Sequence, residues 1–155
     1  MQIAFRPALD QDFAYCRRVY FAEMDWIIRE LHLDEVAQAE SFRQQWNPTQ
    51  VRIITLNGAD TDNDIGWLQS FPLDDEIFLS QLFVERAHQR CGIGTEVMNR
   101  LMKEAEQLNR AVRLDVVKIN PAKRLYERLG FRIVGEEERK FHMKRDPDRT
   151  SQSDI

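Results

Sequence analysis

The stretch from Leu82 to Asn109, LFVERAHQRCGIGTEVMNRLMKEAEQLN, decides how this chain is read. It opens on an apolar run, Leu82, Phe83 and Val84, and passes through a short basic turn, Gln89-Arg90-Cys91-Gly92-Ile93-Gly94-Thr95. It closes on apolar residues at helical spacing: Val97, Met98, Leu101, Met102, Ala105 and Leu108. The order is strand, turn, amphipathic helix. A strand that delivers the backbone straight into a helix N-terminus leaves the first N–H groups unpaired, and two glycines let an anion approach them with no Cβ in the way. The segment therefore predicts a phosphate-bearing cofactor.

Two common phosphate loops fail on these residues. A P-loop requires Gly-Lys-Ser/Thr, and no lysine follows either glycine. A dinucleotide fingerprint requires a third glycine where Val97 stands, and lacks its acidic residue downstream. A second segment lies further on, Asn120-Pro121-Ala122-Lys123-Arg124-Leu125-Tyr126-Glu127-Arg128-Leu129-Gly130-Phe131. Asn120 reads as a helix N-cap, Pro121 as the first helical position and Gly130 as the stop, with Ala122, Leu125, Tyr126 and Leu129 on one face. Gln89, Gly92 and Gly94 fill the Gln/Arg-x-x-Gly-x-Gly/Ala pattern of the GNAT superfamily of acetyl-CoA-dependent N-acetyltransferases. The second segment resembles the GNAT helix that ends in Tyr-x-x-x-Gly-Phe. Both motifs stand in the family's order, and together they cover residues from the mid-70s to the mid-130s.

Composition fits one globular unit. At 155 residues a single core can form without disulfide or metal staples, and 1–145 is expected to be one domain with 146–155 a polar tail. The chain carries 22 basic and 26 acidic residues, a net charge of -4, which argues against general nucleic-acid binding. Cys16 and Cys91 form no Cys-x-x-Cys pair, and no apolar segment reads as a signal peptide or membrane span. A cytoplasmic location is expected. His32, His88 and His142 have no metal-ligand spacing, so no metal is expected.

Along the chain, Ile3 to Arg6 reads as a strand. A helix follows with Phe13, the stem of Arg17, Tyr20, Met24, Ile27 and Leu31 inward, and then a second helix from Asp34 to Trp46. Val51 to Leu56 and Ile65 to Phe71 read as strands around a polar turn, Asn57 to Asp64. After a turn at Pro72 to Asp75, Glu76 to Val84 is an apolar strand, and Arg113 to Val117 is another. Phe131 to Gly135 and Arg139 to Lys144 form a closing hairpin around Glu136-Glu137-Glu138.

The resemblance implies an α/β (α+β) fold: a mixed, mostly antiparallel twisted sheet of about seven strands flanked by about four helices. The sheet would be splayed between its fourth and fifth strands. There the backbone of the fourth strand loses its ladder partners and can pair with the pantetheine arm of acetyl-CoA, the implied co-substrate. Main-chain groups of Leu82, Phe83 and Val84 would then meet the acetyl and pantetheine amides. Gln89, Arg90, Cys91, Gly92, Ile93, Gly94 and Thr95 would hold the pyrophosphate, with Asn120, Lys123 and Tyr126 on the same ligand.

Direct transfer needs an oxyanion donor, an acid for the departing thiolate and an acceptor for the amine's proton. A backbone N–H near Leu82 is the candidate donor. Tyr126 matches the GNAT tyrosine that serves as general acid, and a phenol with a reference pKa of about 10 suits a thiolate. Glu76, at the head of the strand that runs into the site, is the candidate base; a solvated turn residue is the competing reading. Glu23, Asp25 and Glu30 around Trp26 could line an acceptor pocket or form the polar face of the first helix. The acceptor carries no motif: a small amine, amino acid, polyamine, aminoglycoside-like molecule or protein amino group all fit. A catalytically silent acetyl-CoA sensor or interaction module of the same fold is the alternative. A homodimer through the hairpin around Phe141 and Met143 is open, and no nucleic-acid or membrane partner is expected.

Overall fold

The computed structural model describes residues 2–56 and 63–148. Seven strands form one sheet in the order β1-β2-β3-β4-β5-β7-β6, and four helices accompany it. The strands are β1 (Ile3–Pro7), β2 (Val51–Leu56), β3 (Asp64–Leu73), β4 (Glu76–Val84), β5 (Val112–Val117), β6 (Arg132–Glu136) and β7 (Lys140–Arg145). The helices are α1 (Phe13–Glu30), α2 (Glu35–Gln45), α3 (Ile93–Gln107) and α4 (Ala122–Arg128). This is the mixed, GNAT-like architecture that the sequence implies. The chain clusters into two compact units, Met1–Ser70 with Gln81–Ile93 and Phe71–Ser80 with Gly94–Ile155.

In the first unit β1 pairs antiparallel with β2, and β2 with β3. Its core gathers Cys16, Val19, Tyr20, Phe42, Val51, Ile53 and Trp67, with Phe13, Met24, Trp46 and Phe83 packed against it. The buried stripe of α1 is Cys16, Val19, Tyr20, Ile27 and Ile28, rotated from the expected one. Arg17 stays exposed, its guanidinium 5.3 Å from the Phe21 ring. Helix α2 starts because the Asp34 carboxylate accepts the Val36 N–H, and it stops at Trp46 before Asn47-Pro48. Arg6 holds the start of the fold together: its guanidinium reaches Asp12 at 2.9 and 3.0 Å and Asp64 at 2.9 and 3.3 Å.

Strand β3 runs through Pro72, so the turn to β4 is shorter than expected, with Asp74 left-handed at φ 56°. In the second unit the buried apolar residues come from β4 (Ile77, Leu79), from α3 (Val97, Met98, Leu101, Met102, Ala105), from β5 (Val112, Leu114, Val116) and from Ala111, Phe131 and Met143. Leu108, expected inward, is 60 % exposed. The helix has already ended at Gln107, and Asn109 turns the backbone at φ 54°. Met143 is fully buried, and Phe141 is half-buried under Lys118 and Lys123 at 5.0 and 4.9 Å. Of the expected polar turn, residues 57–62 lie outside the described residues, as does the tail from 149 onward.

One feature of the sheet positions the site. Strands β4 and β5 are parallel and pair only at Ile77↔Val112, Phe78↔Arg113 and Leu79↔Leu114. Strand β4 continues to Val84 and β5 to Val117 without further pairing to each other. The splay after the fourth strand is therefore present.

Candidate functional site

The end of β4 and the turn after it are built by their own side chains. The Gln89 amide donates to the Val84 carbonyl at 2.7 Å, closing a loop that contains the single helical turn Arg86–His88. The Cys91 thiol donates to the His88 carbonyl at 2.9 Å, which makes Cys91 a brace of the turn. Arg90 adopts φ 63° and Gly92 φ 84°. The left-handed conformation costs a non-glycine residue about 1 kcal/mol, and at Gly92 it costs nothing of the kind. Arg90, Cys91 and Gly92 are exposed, whereas Ile93 is buried and anchors the start of α3. A Cβ on Gly94 would sit 3.8 Å from Leu125 Cδ2, an ordinary contact, so packing alone does not require glycine there.

Helix α4 has only seven residues and is defined at both ends. The Asn120 side-chain oxygen accepts the Ala122 N–H at 2.9 Å, so Asn120 caps the helix although the first helical residue is Ala122 and not Pro121. At the other end Gly130 turns left-handed at φ 95°. The Phe131 N–H reaches the Tyr126 carbonyl at 3.0 Å and the Gly130 N–H the Glu127 carbonyl at 3.1 Å. That pair of bonds is a Schellman motif, and its usual apolar contact is the Tyr126 ring, 5.9 Å from the Phe131 ring. Arg145 clamps the same end, donating to the Leu129 carbonyl at 2.9 Å. Tyr126 as a whole is half-buried, and burial of its phenol pushes the pKa up to about 12. Lys123 packs over Phe141 and pairs with Glu127 at 3.6 Å.

Glu76 is held by two cations. Its carboxylate meets Lys144 at 2.7 Å and Arg113 at 3.5 Å, and its side chain is 13 % exposed. It heads the part of β4 that pairs with β5.

Sequence reasoning passed over two features of the first unit. Tyr15 donates to Glu85 at 3.0 Å, Arg18 pairs with Glu85 at 3.6 Å and also lies over the Tyr15 ring. Burial and the neighbouring Glu85 hold the Tyr15 phenol far above its usual range. This network borders a cavity of about 360 Å³ lined by Arg18, Val19, Ala22, Glu23, Glu85, Arg86 and Ala87. The second is Gly66 in β3, whose only signal was a lone glycine inside a strand pattern. Among the described residues no group of three His, Cys, Asp or Glu could hold a metal, and no helix is long and apolar enough to cross a membrane.

The family model for the acetyltransferase (GNAT) family matches residues 18–131. The chain belongs to that family. GNAT acetyltransferases are acyl-CoA-dependent transferases, and this chain is one of them. No curated protein matches the sequence. Solved structures share the fold at low identity. PaiA N-acetyltransferase from Thermoplasma acidophilum in complex with coenzyme A is 15 % identical, with a TM-score of 0.74 over 94 % of this chain and 99 % of that one. Ard1 from Thermoplasma volcanium is 18 % identical, with a TM-score of 0.69 over 96 % and 99 %. An acetyltransferase from Thermus thermophilus is 19 % identical, with a TM-score of 0.71 over 94 % and 97 %.

Proposed function

We propose that this GNAT chain transfers the acetyl group of acetyl-CoA directly to a primary amine. The observation that carries the reading is the end of β4: it leaves β5 after Leu79 and runs straight into the glycine turn, so ladder groups and helix N–H groups follow one another along the chain. The coenzyme A bound to the Thermoplasma acidophilum PaiA structure supports the choice of cofactor. In this proposal main-chain groups of Leu82, Phe83 and Val84 meet the acyl and pantetheine amides. The turn from Gln89 through Arg90, Cys91, Gly92, Ile93 and Gly94 to Thr95 takes the phosphates, and Asn120 and Lys123 serve the same ligand from α4.

The amine nitrogen attacks the thioester carbon, and an N–H near Leu82 meets the oxyanion. As the C–S bond breaks, the thiolate takes the phenolic proton of Tyr126, and the nitrogen releases its own proton to solvent. A phenol raised by burial stays protonated at neutral pH and so is loaded before each turnover. The oxygens of Glu76 are committed to Lys144 and Arg113, and we assign it the fastening of β4 to β5 and β7 rather than proton removal. The mixed charge of the Arg18, Glu23, Glu85 and Arg86 cavity does not select one acceptor class.

Thermal stability with acetyl-CoA, CoA, ATP and NAD at equal concentration tests the cofactor. Binding to the native state alone raises the midpoint by mass action. A rise with the two CoA species only is expected; no rise with either removes the reading. Thiol release across an amine panel then separates an enzyme from a silent acetyl-CoA module.

A further inference from the structure

Gly66 is fully inside the sheet, and its place is taken by another strand's backbone. A Cβ built on it would lie 2.2 Å from the Phe83 carbonyl oxygen, 3.0 Å from Val84 Cα and 3.2 Å from the Phe83 carbonyl carbon. All three are main-chain atoms, so no rotamer change relieves the clash. In a regular sheet a Cβ projects away from the plane that holds the neighbouring carbonyls. The Phe83 carbonyl has therefore turned out of that plane into the volume that a side chain on Gly66 would fill. Since the peptide unit is planar, the N–H of Val84 is turned with it.

The surroundings prevent β4 from giving way. The Phe83 ring is seated against Tyr20 and Trp67, with centroids at 5.4 and 5.5 Å. One residue on, the Glu85 N–H donates to the Ile65 carbonyl at 2.7 Å. Between these two anchors the Val84 carbonyl is occupied by the Gln89 amide at 2.7 Å. Of the carbonyls at this point, that of Phe83 faces Gly66 from β3 and that of Val84 is held by Gln89 from the turn.

We propose that Gly66 and Gln89 are positioning residues for the cofactor: Gly66 admits the turned Phe83-Val84 peptide, Gln89 holds the carbonyl of the next peptide at Val84, and together they set the β4 backbone that meets the pantetheine arm. The proposal rests on the acetyl-CoA reading above. It gives the Gln89 side chain a role through Val84, distinct from contact with the phosphates. Alanine at position 66 must push the Phe83 oxygen about 1.2 Å away to restore an ordinary 3.4 Å contact. A displacement near 1 Å in a positioning element is enough to weaken an oriented ligand severely.

The test measures, by titration calorimetry, the affinity of wild type, Gly66→Ala and Gln89→Ala for CoA and for 3′-phospho-ADP, which keeps both 5′ phosphates and lacks the pantetheine arm. Expected is a loss of about tenfold or more for CoA in both variants, with 3′-phospho-ADP changed by less than about twofold. A general loss of folding quality would lower both ligands together. If wild type does not bind CoA, the cofactor reading itself fails. If wild type binds and both variants bind CoA as it does, or lose both ligands in parallel, the positioning role is overturned. Should Gly66→Ala not fold, the exposed Gln89→Ala decides alone by the same criterion.

Discussion

Replacing Arg6 by methionine should cost this protein about 2 kcal/mol at neutral pH, and the loss should vanish in acid. The guanidinium makes four bonds between 2.9 and 3.3 Å to Asp12 and Asp64, tying β1 to the entry of α1 and to the start of β3. Asp12 is 8 % exposed and also accepts the Leu9 N–H at 2.8 Å, so removing Arg6 strands a buried carboxylate. Breaking a buried pair from one side costs about 3 to 5 kcal/mol. The Arg6 side chain is 36 % exposed and Asp64 27 %, so water replaces part of what is lost and the figure falls to about 2 kcal/mol. For a chain of this length that is a melting-temperature drop of about 4 to 8 °C.

The pH dependence follows from Asp12. Arg6 first, and the Leu9 N–H after it, hold the Asp12 carboxyl below its ordinary range against the opposing effect of burial. A carboxyl depressed in the folded state stabilises fully above its unfolded pKa of about 3.9 and loses that contribution as pH falls through the lower folded value. Melts of wild type and Arg6→Met from neutral to acid pH should run a constant distance apart down to about pH 5 and converge below about pH 4. Curves that remain parallel throughout, or that coincide at neutral pH, would refute the account.

Tyr126→Phe keeps the ring against Phe131 and removes only the hydroxyl; turnover should fall about 100- to 10,000-fold while CoA still raises the melting temperature. Because burial lifts the phenol to about 12, wild-type kcat should not decline through pH 10 from loss of this proton, where an ordinary tyrosine would be half ionised; an alkaline limb near pH 10 that disappears in Tyr126→Phe would contradict it. Glu76→Gln should lower stability by about 1 to 2 kcal/mol, read as a shift of about 2 to 8 °C, and leave kcat intact. A collapse of kcat at unchanged melting temperature would instead make Glu76 the base.

The parts of the fold that were legible are those specified within a few residues. Strands β2 and β4 coincide with their expected spans, and α2 lies between its expected cap and its Asn47-Pro48 stop, because alternation, capping and proline act locally. Leu108 misled because periodicity says which face a residue would take and not where the helix ends; Asn109 ended it with a left-handed turn that any asparagine can make or decline. The partners of Glu76, the bridge at Arg6 and the turned peptide opposite Gly66 depend on which strands become neighbours and in what register. No window of sequence contains Glu76 together with Lys144, or Gly66 together with Phe83. The acceptor side is silent for a related reason: the charges of α1 look the same whether they face water or a ligand.

The second motif, from Asn120 to Phe131, can now be divided by what each residue does. Asn120 starts α4, Gly130 and Phe131 stop it, and the Phe131 N–H is bonded to the carbonyl of Tyr126 itself. Most of the pattern is thus an instruction for folding a helix too short to stand alone, and the Tyr126 hydroxyl takes no part in those bonds. Recognition by this pattern detects the scaffold. A relative with phenylalanine in place of Tyr126 would keep every bond that makes the motif fold, and under the mechanism proposed above it would lose its general acid. Under that mechanism a single oxygen atom would separate a catalyst from a binder of acetyl-CoA among chains recognised in this way.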